Sequence, residues 1–237
     1  MKKILLAALL CLLTLPLSAF IEIPTTGNYD SLLDMFSTGM NSGLATATIP
    51  GRIFSAGLQA NFAMNDGGGV LENAGNKDNY VFPLLFANLH LGDFLVFARG
   101  LAINQKGADF WYVGGGLGYI VSDYKLLFPQ IRILGAYHML NASHSYNDVK
   151  VSTITANAVA DYKVPILPIH ALANIGYERN MMDVSWSAFA GGGSRDVGLN
   201  RLRFSVGAQV KLLILGISYE YTILPNPNHN VGVSVVF

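Results

Sequence analysis

From residue 52 to the end of the chain, hydrophobic and polar positions alternate in runs of about ten residues. That period of two is the mark of strands with two unlike faces. The first run, Arg52–Met64, sets Phe54, Ala56, Leu58, Ala60, Phe62 and Met64 against Ser55, Gly57, Gln59 and Asn61. Tyr80–Leu91 sets Val81, Leu85, Ala87, Leu89 and Leu91 against Asn88 and His90, and Phe94–Asn104 sets Val96, Ala98 and Ala102 against Arg99. Further runs fall at about Phe110–Val121, Gln130–Leu140, Val149–Tyr162 and Ile166–Glu178. The cleanest is the eighth, where Leu202, Phe204, Val206, Ala208 and Val210 alternate with Arg201, Arg203, Ser205, Gln209 and Lys211. A ninth run reaches Ile223, and a tenth closes the chain through Val231, Val233, Val235 and Phe237. In most runs one face is almost wholly apolar.

The connections alternate in length. Short links are predicted at Gly92-Asp93, Asp123–Pro129, Lys163–Pro165 and Lys211–Ile214, and longer polar ones at Asn65–Asn79, Asn104–Asp109, Asn141–Asp148, Arg179–Asn200 and Leu224–Asn230. Short turns on one side and long loops on the other suit an up-and-down barrel in a membrane. An even number of strands puts both ends of the barrel on the short-turn side. Residues 20–51 break the ladder. Asp30–Met40 is predicted as a short amphipathic helix, with Leu32, Leu33 and Phe36 at helical spacing and Asp30 or Ser31 as its cap. It is expected either to plug the barrel or to form a periplasmic lead.

Composition sharpens the choice between a soluble sandwich and a membrane barrel. Only 13% of the 237 residues are charged and 51% are hydrophobic, against about 25% charged in an ordinary soluble domain. An apolar stretch close to the twenty or so residues of a helical span occurs only at the N-terminus. There Lys2 and Lys3 precede the apolar Ile4–Leu13, Pro16 and the small pair Ser18-Ala19, the plan of a cleavable signal peptide over residues 1–19. Cys11 is the single cysteine and lies in that segment, preceded by leucines where a lipoprotein site would have small residues. The rest of the chain therefore has no disulfide and no thiolate metal site, as suits an oxidising compartment. Fifteen basic and fifteen acidic residues balance, and no basic stripe points to nucleic acid.

The ladder and the closing Val231-Gly232-Val233-Ser234-Val235-Val236-Phe237 resemble the small bacterial outer-membrane β-barrels over residues 51–237, at the level of the class. The resemblance implies an all-β fold, an antiparallel transmembrane barrel of about ten strands over residues 52–237, and an outer-membrane location. It also implies two partners: outer-membrane lipid, and the barrel-assembly machinery that would read the C-terminal strand ending at Phe237. The physical reason is that lipid offers backbone groups no hydrogen-bond partner, so a spanning sheet must close on itself. Tyr119, Tyr137, Tyr177, Tyr219 and Tyr221 fit the aromatic girdles at the interfaces.

If the apolar faces meet lipid, the lumen can be read from the chain. Asn88, His90, Arg99, Arg132, Asp161, His170, Asn174, Lys211 and Glu220 fall in its periplasmic half, and Arg203 with Glu220 is the predicted ion pair. Phe82, Leu84, Phe86, Leu101, Ile103, Phe110 and Tyr112 turn inward in the outer half. Such a greasy upper lumen is expected to bind a small apolar ligand or to pack the N-terminal segment; a strand slipped by one residue would turn it outward instead. It resembles the barrels that pass hydrophobic compounds. Ten strands enclose little more than eight, which side chains fill, so a broad aqueous pore is not expected.

Catalysis and metal binding are poorly supported. Ser143-His144-Ser145 with Asp148 places a nucleophile near a base, but triads depend on geometry rather than on neighbourhood. His138, His144 and His170 fall at different depths and faces. Gly67-Gly68-Gly69 and Gly191-Gly192-Gly193 lack the lysine-serine pair and helix of a phosphate loop. Met181, Met182, Trp186 and Phe189, in the predicted long loop, are expected at the barrel mouth. The expected function is passive passage or binding of small hydrophobic molecules, without cofactor or metal. The alternative is a structural or adhesive barrel acting through its external loops.

Overall fold

The computed structural model describes residues 29–48, 53–63, 80–105, 108–124 and 128–236. Ten antiparallel strands close into one barrel: β1 (Phe54–Ala63), β2 (Tyr80–Leu91), β3 (Phe94–Gln105), β4 (Ala108–Ser122), β5 (Gln130–Ser143), β6 (Asn147–Lys163), β7 (Ile169–Trp186), β8 (Gly193–Leu212), β9 (Leu215–Leu224) and β10 (Asn228–Val236). Each strand pairs with its neighbours in sequence, and β1 pairs with β10, Ser55 opposite Val236, to seal the wall. No edge is left unpaired, which is what hydrocarbon demands. The predicted signal peptide, the loop glycines at 67–69 and Phe237 lie outside the described residues.

The two faces follow the alternation. Leu85, Val113, Leu117, Ile133, Ile154, Ile175 and Leu202 point outward and are exposed, the belt that meets lipid. Tyr119, Tyr137, Tyr177 and Tyr219 are exposed on the same face. Most inward positions are buried, charged ones included.

The wall is not of even height. β1, β9 and β10 have 10, 10 and 9 residues, close to the roughly 9–11 that a tilted strand needs to span. β6, β7 and β8 have 17, 18 and 20. The surplus stands beyond the membrane at the end opposite the short turns, which is the external end. Three predicted loops are thereby corrected. Arg179–Asn200 is mostly strand, with only the 3-10 turn Ala188–Ala190 and the left-handed Gly191, Gly192 and Gly193 at its tip. The Asn141–Asp148 link shrinks to His144–Tyr146, and the Leu224–Asn230 link to Pro225–Pro227. The reason is that a strand which has left the bilayer needs no apolar outer face. The backbone ladder continues while the period-two signal fades.

Inside the barrel lie two helices, α1 (Tyr29–Asn41) and α2 (Leu44–Ala47). Gly43 joins them with φ +74, and a Cβ there would press on the Asn230 side chain. A non-glycine residue is thus strained by the backbone conformation and would have to displace Asn230. α1 opens one residue before the predicted cap, so Asp30 and Ser31 sit in its first turn. Asp30 is the acidic residue there, favourable at the positive end of the helix dipole.

Candidate functional site

The lumen has two unlike sides, and α1 matches both. Tyr29, Leu32, Leu33, Phe36 and Met40 form its apolar stripe. They join one cluster with Phe82 and Leu84 of β2, Phe110 and Tyr112 of β4, Leu140 and Ala142 of β5, Val149 and Val151 of β6, and Met182 and Val184 of β7. Phe36 meets Phe82 edge to face, ring centroids 6.2 Å apart. Each such side chain withdrawn from water contributes about 1.5–3 kcal/mol. The polar side of α1 faces β8 and β1, where Asn61 donates to Gly39 O. Asp34 takes two hydrogen bonds from Arg201, both 3.1 Å. Ser42, just past the helix, shares a 3.3 Å hydrogen bond with Thr222.

The outer end of α1 is clasped by the tall hairpin. Trp186 packs edge-on to Tyr29 at 5.8 Å, and the Arg195 guanidinium lies 4.7 Å above the Tyr29 ring. Met182 and Trp186, predicted at the mouth, are on β7 and reach α1 there, whereas Met181 faces outward and is exposed. The Phe189 side chain lies outside the described residues.

At the other end of α1 the contacts change in kind. The last carbonyls of a helix have no partner within it, and in a lumen they must find donors on the wall. Arg99 donates to Met40 O at 3.0 Å, to Ser42 O at 2.6 Å and to Gln59 Oε1 at 2.8 Å. Its charge also suits the negative end of the helix dipole. Gln59 in turn donates to Gly43 O at 2.8 Å. Tyr112 donates to Met40 O at 3.1 Å and lies 2.7 Å from His138 Nδ1. Arg132 donates to Ala45 O at 3.2 Å, and Asn88 donates to Ala47 O. Wall side chains thus hold the backbone of residues 40–47.

Three arginines and three carboxylates are buried at this level: Arg99, Arg132 and Arg203 with Asp161, Glu178 and Glu220. The predicted Arg203–Glu220 pair is corrected. Arg203 pairs with Glu178 on β7, and its Nη1 reaches Thr222 at 3.1 Å. Glu220 accepts instead from Ser205 at 2.9 Å and from the Thr46 N–H at 3.1 Å. The register explains the exchange. Glu220 stands opposite Gly207, four residues along β8 from Arg203, and an irregularity at Phe204/Ser205 shifts the ladder between them.

Below α2 the lumen opens into a recess of about 510 Å³ lined by Asp123, Tyr124, Gln130, Lys163, Pro168, His170 and Lys211. Two of these residues reach the buried Asp161 carboxylate, which takes a 2.6 Å hydrogen bond from Tyr124 and a 2.9 Å one from His170, with Arg132 at 3.5 Å. Burial, and then the charge of Asp161, holds the Tyr124 phenol well above its ordinary range, so it remains a donor.

Of the seven inward apolar residues read from the sequence, Phe82, Leu84, Phe86, Phe110 and Tyr112 are buried in the lumen. Leu101 is half-buried, and the Ile103 side chain lies outside the described residues. Asn88, Arg99, Arg132, Asp161, His170, Asn174, Arg203 and Glu220 are buried inside, with His90 and Lys211 half-buried. Missed from sequence were Gln59 and Asn61 as holders of the plug, the Asp34–Arg201 pair, and the carbonyl acceptors, which carry no residue signature. The external-loop group assembles no triad. Ser143 donates directly to Asp148, while the His144 ring lies against Tyr146 at 5.4 Å and its Nδ1 bonds neither.

No protein-family model and no curated protein sequence matches the chain. Solved structures do. The translocator domain of autotransporter NalP from Neisseria meningitidis superposes with a TM-score of 0.52 at 13% identity, covering 88% of this chain and 97% of that one. Two others superpose less closely. Ail, the attachment invasion locus protein of Yersinia pestis, gives a TM-score of 0.34 at 11% identity, over 76% of this chain and 93% of its own. The P. putida toluene transporter TodX gives 0.29 at 11% identity, over 94% and 99%. The chain has the fold of the outer-membrane β-barrels, and it is an outer-membrane protein.

Proposed function

We propose that this barrel is a passive conduit for small apolar molecules, closed at rest by its own residues 29–48. The observation that carries the reading is the inward apolar cup of Phe82, Leu84, Phe110 and Tyr112, occupied by Leu33 and Phe36 of α1. Contacts of this kind are non-directional, so an apolar solute of similar bulk can take the place of the helix face. The polar stripe of α1 then keeps its own partners on β8 and β9, and the solute slides between helix and wall. The three buried arginines and three carboxylates lower down disfavour any lone ion, whose charge would enter an already balanced set.

The test is uptake of a small apolar fluorophore by intact cells whose outer leaflet is lipopolysaccharide. Cells with the barrel are expected to take it up faster than cells without, and Phe36→Ala, which loosens the occupant, is expected to raise the rate further. A charged solute of equal size should be excluded by both. Uptake that does not depend on the barrel would remove the reading.

One observation favours a second reading, an adhesive barrel. The β6–β8 wall rises well beyond the membrane, and its outer part exposes charged side chains, Arg195, Asp196 and Lys150 among them. Binding of intact cells to a surface that is lost on shortening the β7–β8 hairpin, with unchanged uptake, would favour it.

A further inference from the structure

The apolar cup accounts for one side of α1. The other side carries Asp34, Thr38 and Asn41, which at that spacing share one stripe of the helix. Asp34 bonds Arg201, so this stripe is turned toward β8. The wall there is polar along its length. β8 turns Arg201, Arg203, Ser205 and Gln209 inward, and β7 sets Glu178 opposite Arg201 and Asn174 opposite Ser205. Residues 201–209 of β8 cover about 26 Å of strand at about 3.3 Å per residue.

What sets this seam apart is its unpaired polar atoms. On the helix, Thr38 Oγ1 and both amide atoms of Asn41 are buried with no hydrogen-bond partner among the described residues. On the wall the same holds for both amide atoms of Asn180, for Glu178 Oε2 and for Arg203 Nη2. Toward the periplasm Asn174 Oδ1 and Gln209 Oε1 continue the series, and Gln209 stands opposite His170, which lines the recess. Toward the outside the seam reaches Arg201, whose side chain is partly exposed. Folded chains keep few buried donors and acceptors unmet, because each costs about as much as a lost hydrogen bond. So many along one interface point to a guest that pairs with them. Both donors (the two asparagine amides and Arg203) and acceptors (the same amides and Glu178) are present, so the guest must offer both. An apolar molecule could pair with none of them. A lone ion would meet Arg203–Glu178 and Arg201–Asp34, whose charges already cancel.

We infer that the seam between the polar stripe of α1 and the inner face of β7 and β8 is a second route through the barrel, which binds and passes small uncharged solutes rich in hydroxyl or amide groups. The helix need only lean toward its apolar contacts, whose attraction has no fixed direction, for such a solute to enter. As the solute moves it exchanges one unpaired group for the next, from Arg201 past Asn180 and Asn174 to the recess. The seam lies across the helix from the apolar cup, so the inference holds whether or not apolar molecules use the cup.

The test places the full chain in phosphatidylcholine vesicles and follows their swelling in a glycerol gradient. Vesicles with the barrel should swell faster than empty ones, while potassium chloride should cross no faster than through lipid alone. Asn180→Leu removes two unpaired groups and leaves an apolar side chain that needs no partner. It should slow the glycerol flux by about tenfold without lowering the denaturation midpoint. Glycerol flux equal to that of empty vesicles, or flux unchanged by Asn180→Leu, would overturn the inference. So would salt that crosses as fast as glycerol, since the seam would then be an open aqueous gap. Should Asn180→Leu fold poorly, Asn41→Leu alters the helix side of the same seam and decides by the same readout.

Discussion

The outer and inner halves of the lumen hold the same segment of chain by opposite means. In the outer half α1 is held chiefly by apolar burial against β2 and β4–β7, with one partly exposed ion pair, Asp34–Arg201. In the inner half the chain bends through Gly43 and is held by hydrogen bonds to its backbone from Arg99, Gln59, Arg132 and Asn88, although Leu44 and Ala45 also pack on a small cluster with Leu95, Phe97 and Leu134. Apolar contact is tolerant of shape and loses energy gradually. Directional bonds between desolvated groups are lost all at once, and each leaves an unpaired polar atom behind. The outer half is therefore the part that can yield to a ligand, and the inner half is the lock.

The sharpest break in that comparison is Glu178→Ala. It leaves the Arg203 guanidinium, 1% exposed, with only hydroxyl partners. The expected loss is about 3–5 kcal/mol, read as a lower urea midpoint for the barrel in lipid vesicles. Adding Arg203→Met should restore most of it, because an apolar pair no longer needs a counter-charge. A loss near zero for the single change would mean that water already reaches the pair.

Next comes Phe36→Ala, at about 3 kcal/mol for the vacated volume. Its effect should be confined to the plug. Hydrogen exchange of the α1 amides should quicken by about a hundredfold, at about 1.4 kcal/mol per decade, while the strands are unmoved. Strands that destabilise equally would mean that plug and wall are one cooperative unit, and the contrast between the halves would fail.

Arg99→Gln removes charge-assisted bonds to Met40 and Ser42 and should cost about 2 kcal/mol. It should quicken exchange over residues 40–47 rather than in the outer turns of α1, and raise single-channel conductance. Equal quickening along the whole of α1 would erase the distinction between the yielding half and the lock. The smallest effect belongs to Asp34→Asn. Arg201 is about one-third exposed in its side chain, so solvent screens the pair and the coupling should stay below about 1 kcal/mol. A double-mutant cycle with Arg201→Gln should show that coupling shrinking as salt rises. A salt-independent value would place the pair in the locked half.

Much of the wall was legible along the chain. Tyr80–Leu91 is predicted and found with the same ends, and Phe94–Asn104 misses by one residue, because lipid forces every second residue to be apolar and leaves few exceptions. The β7–β8 hairpin was not legible beyond Glu178. There the pattern reverses: Asp183, Ser185 and Asp196 lie exposed to water on the outer face while Met182, Val184 and Trp186 turn inward, and backbone pairing goes on. Asp30–Met40 was legible as amphipathic, yet a polar stripe reads the same whether it meets bulk water or Arg201 and Thr222.

What the sequence alone determined is the closed ladder and its two faces, since each position answers to one local question, lipid or lumen. The tertiary structure decided three things that no local pattern encodes. Arg203 takes Glu178 rather than Glu220 because the pairing of β8 with β9 sets Glu220 opposite Gly207, four residues along from Arg203. Arginines end on carbonyls because backbone acceptors are identical in every residue. The lumenal helix runs inward from the external mouth because its contacts at the two ends differ, and those contacts come from strands as far apart along the chain as Asn88 and Arg195.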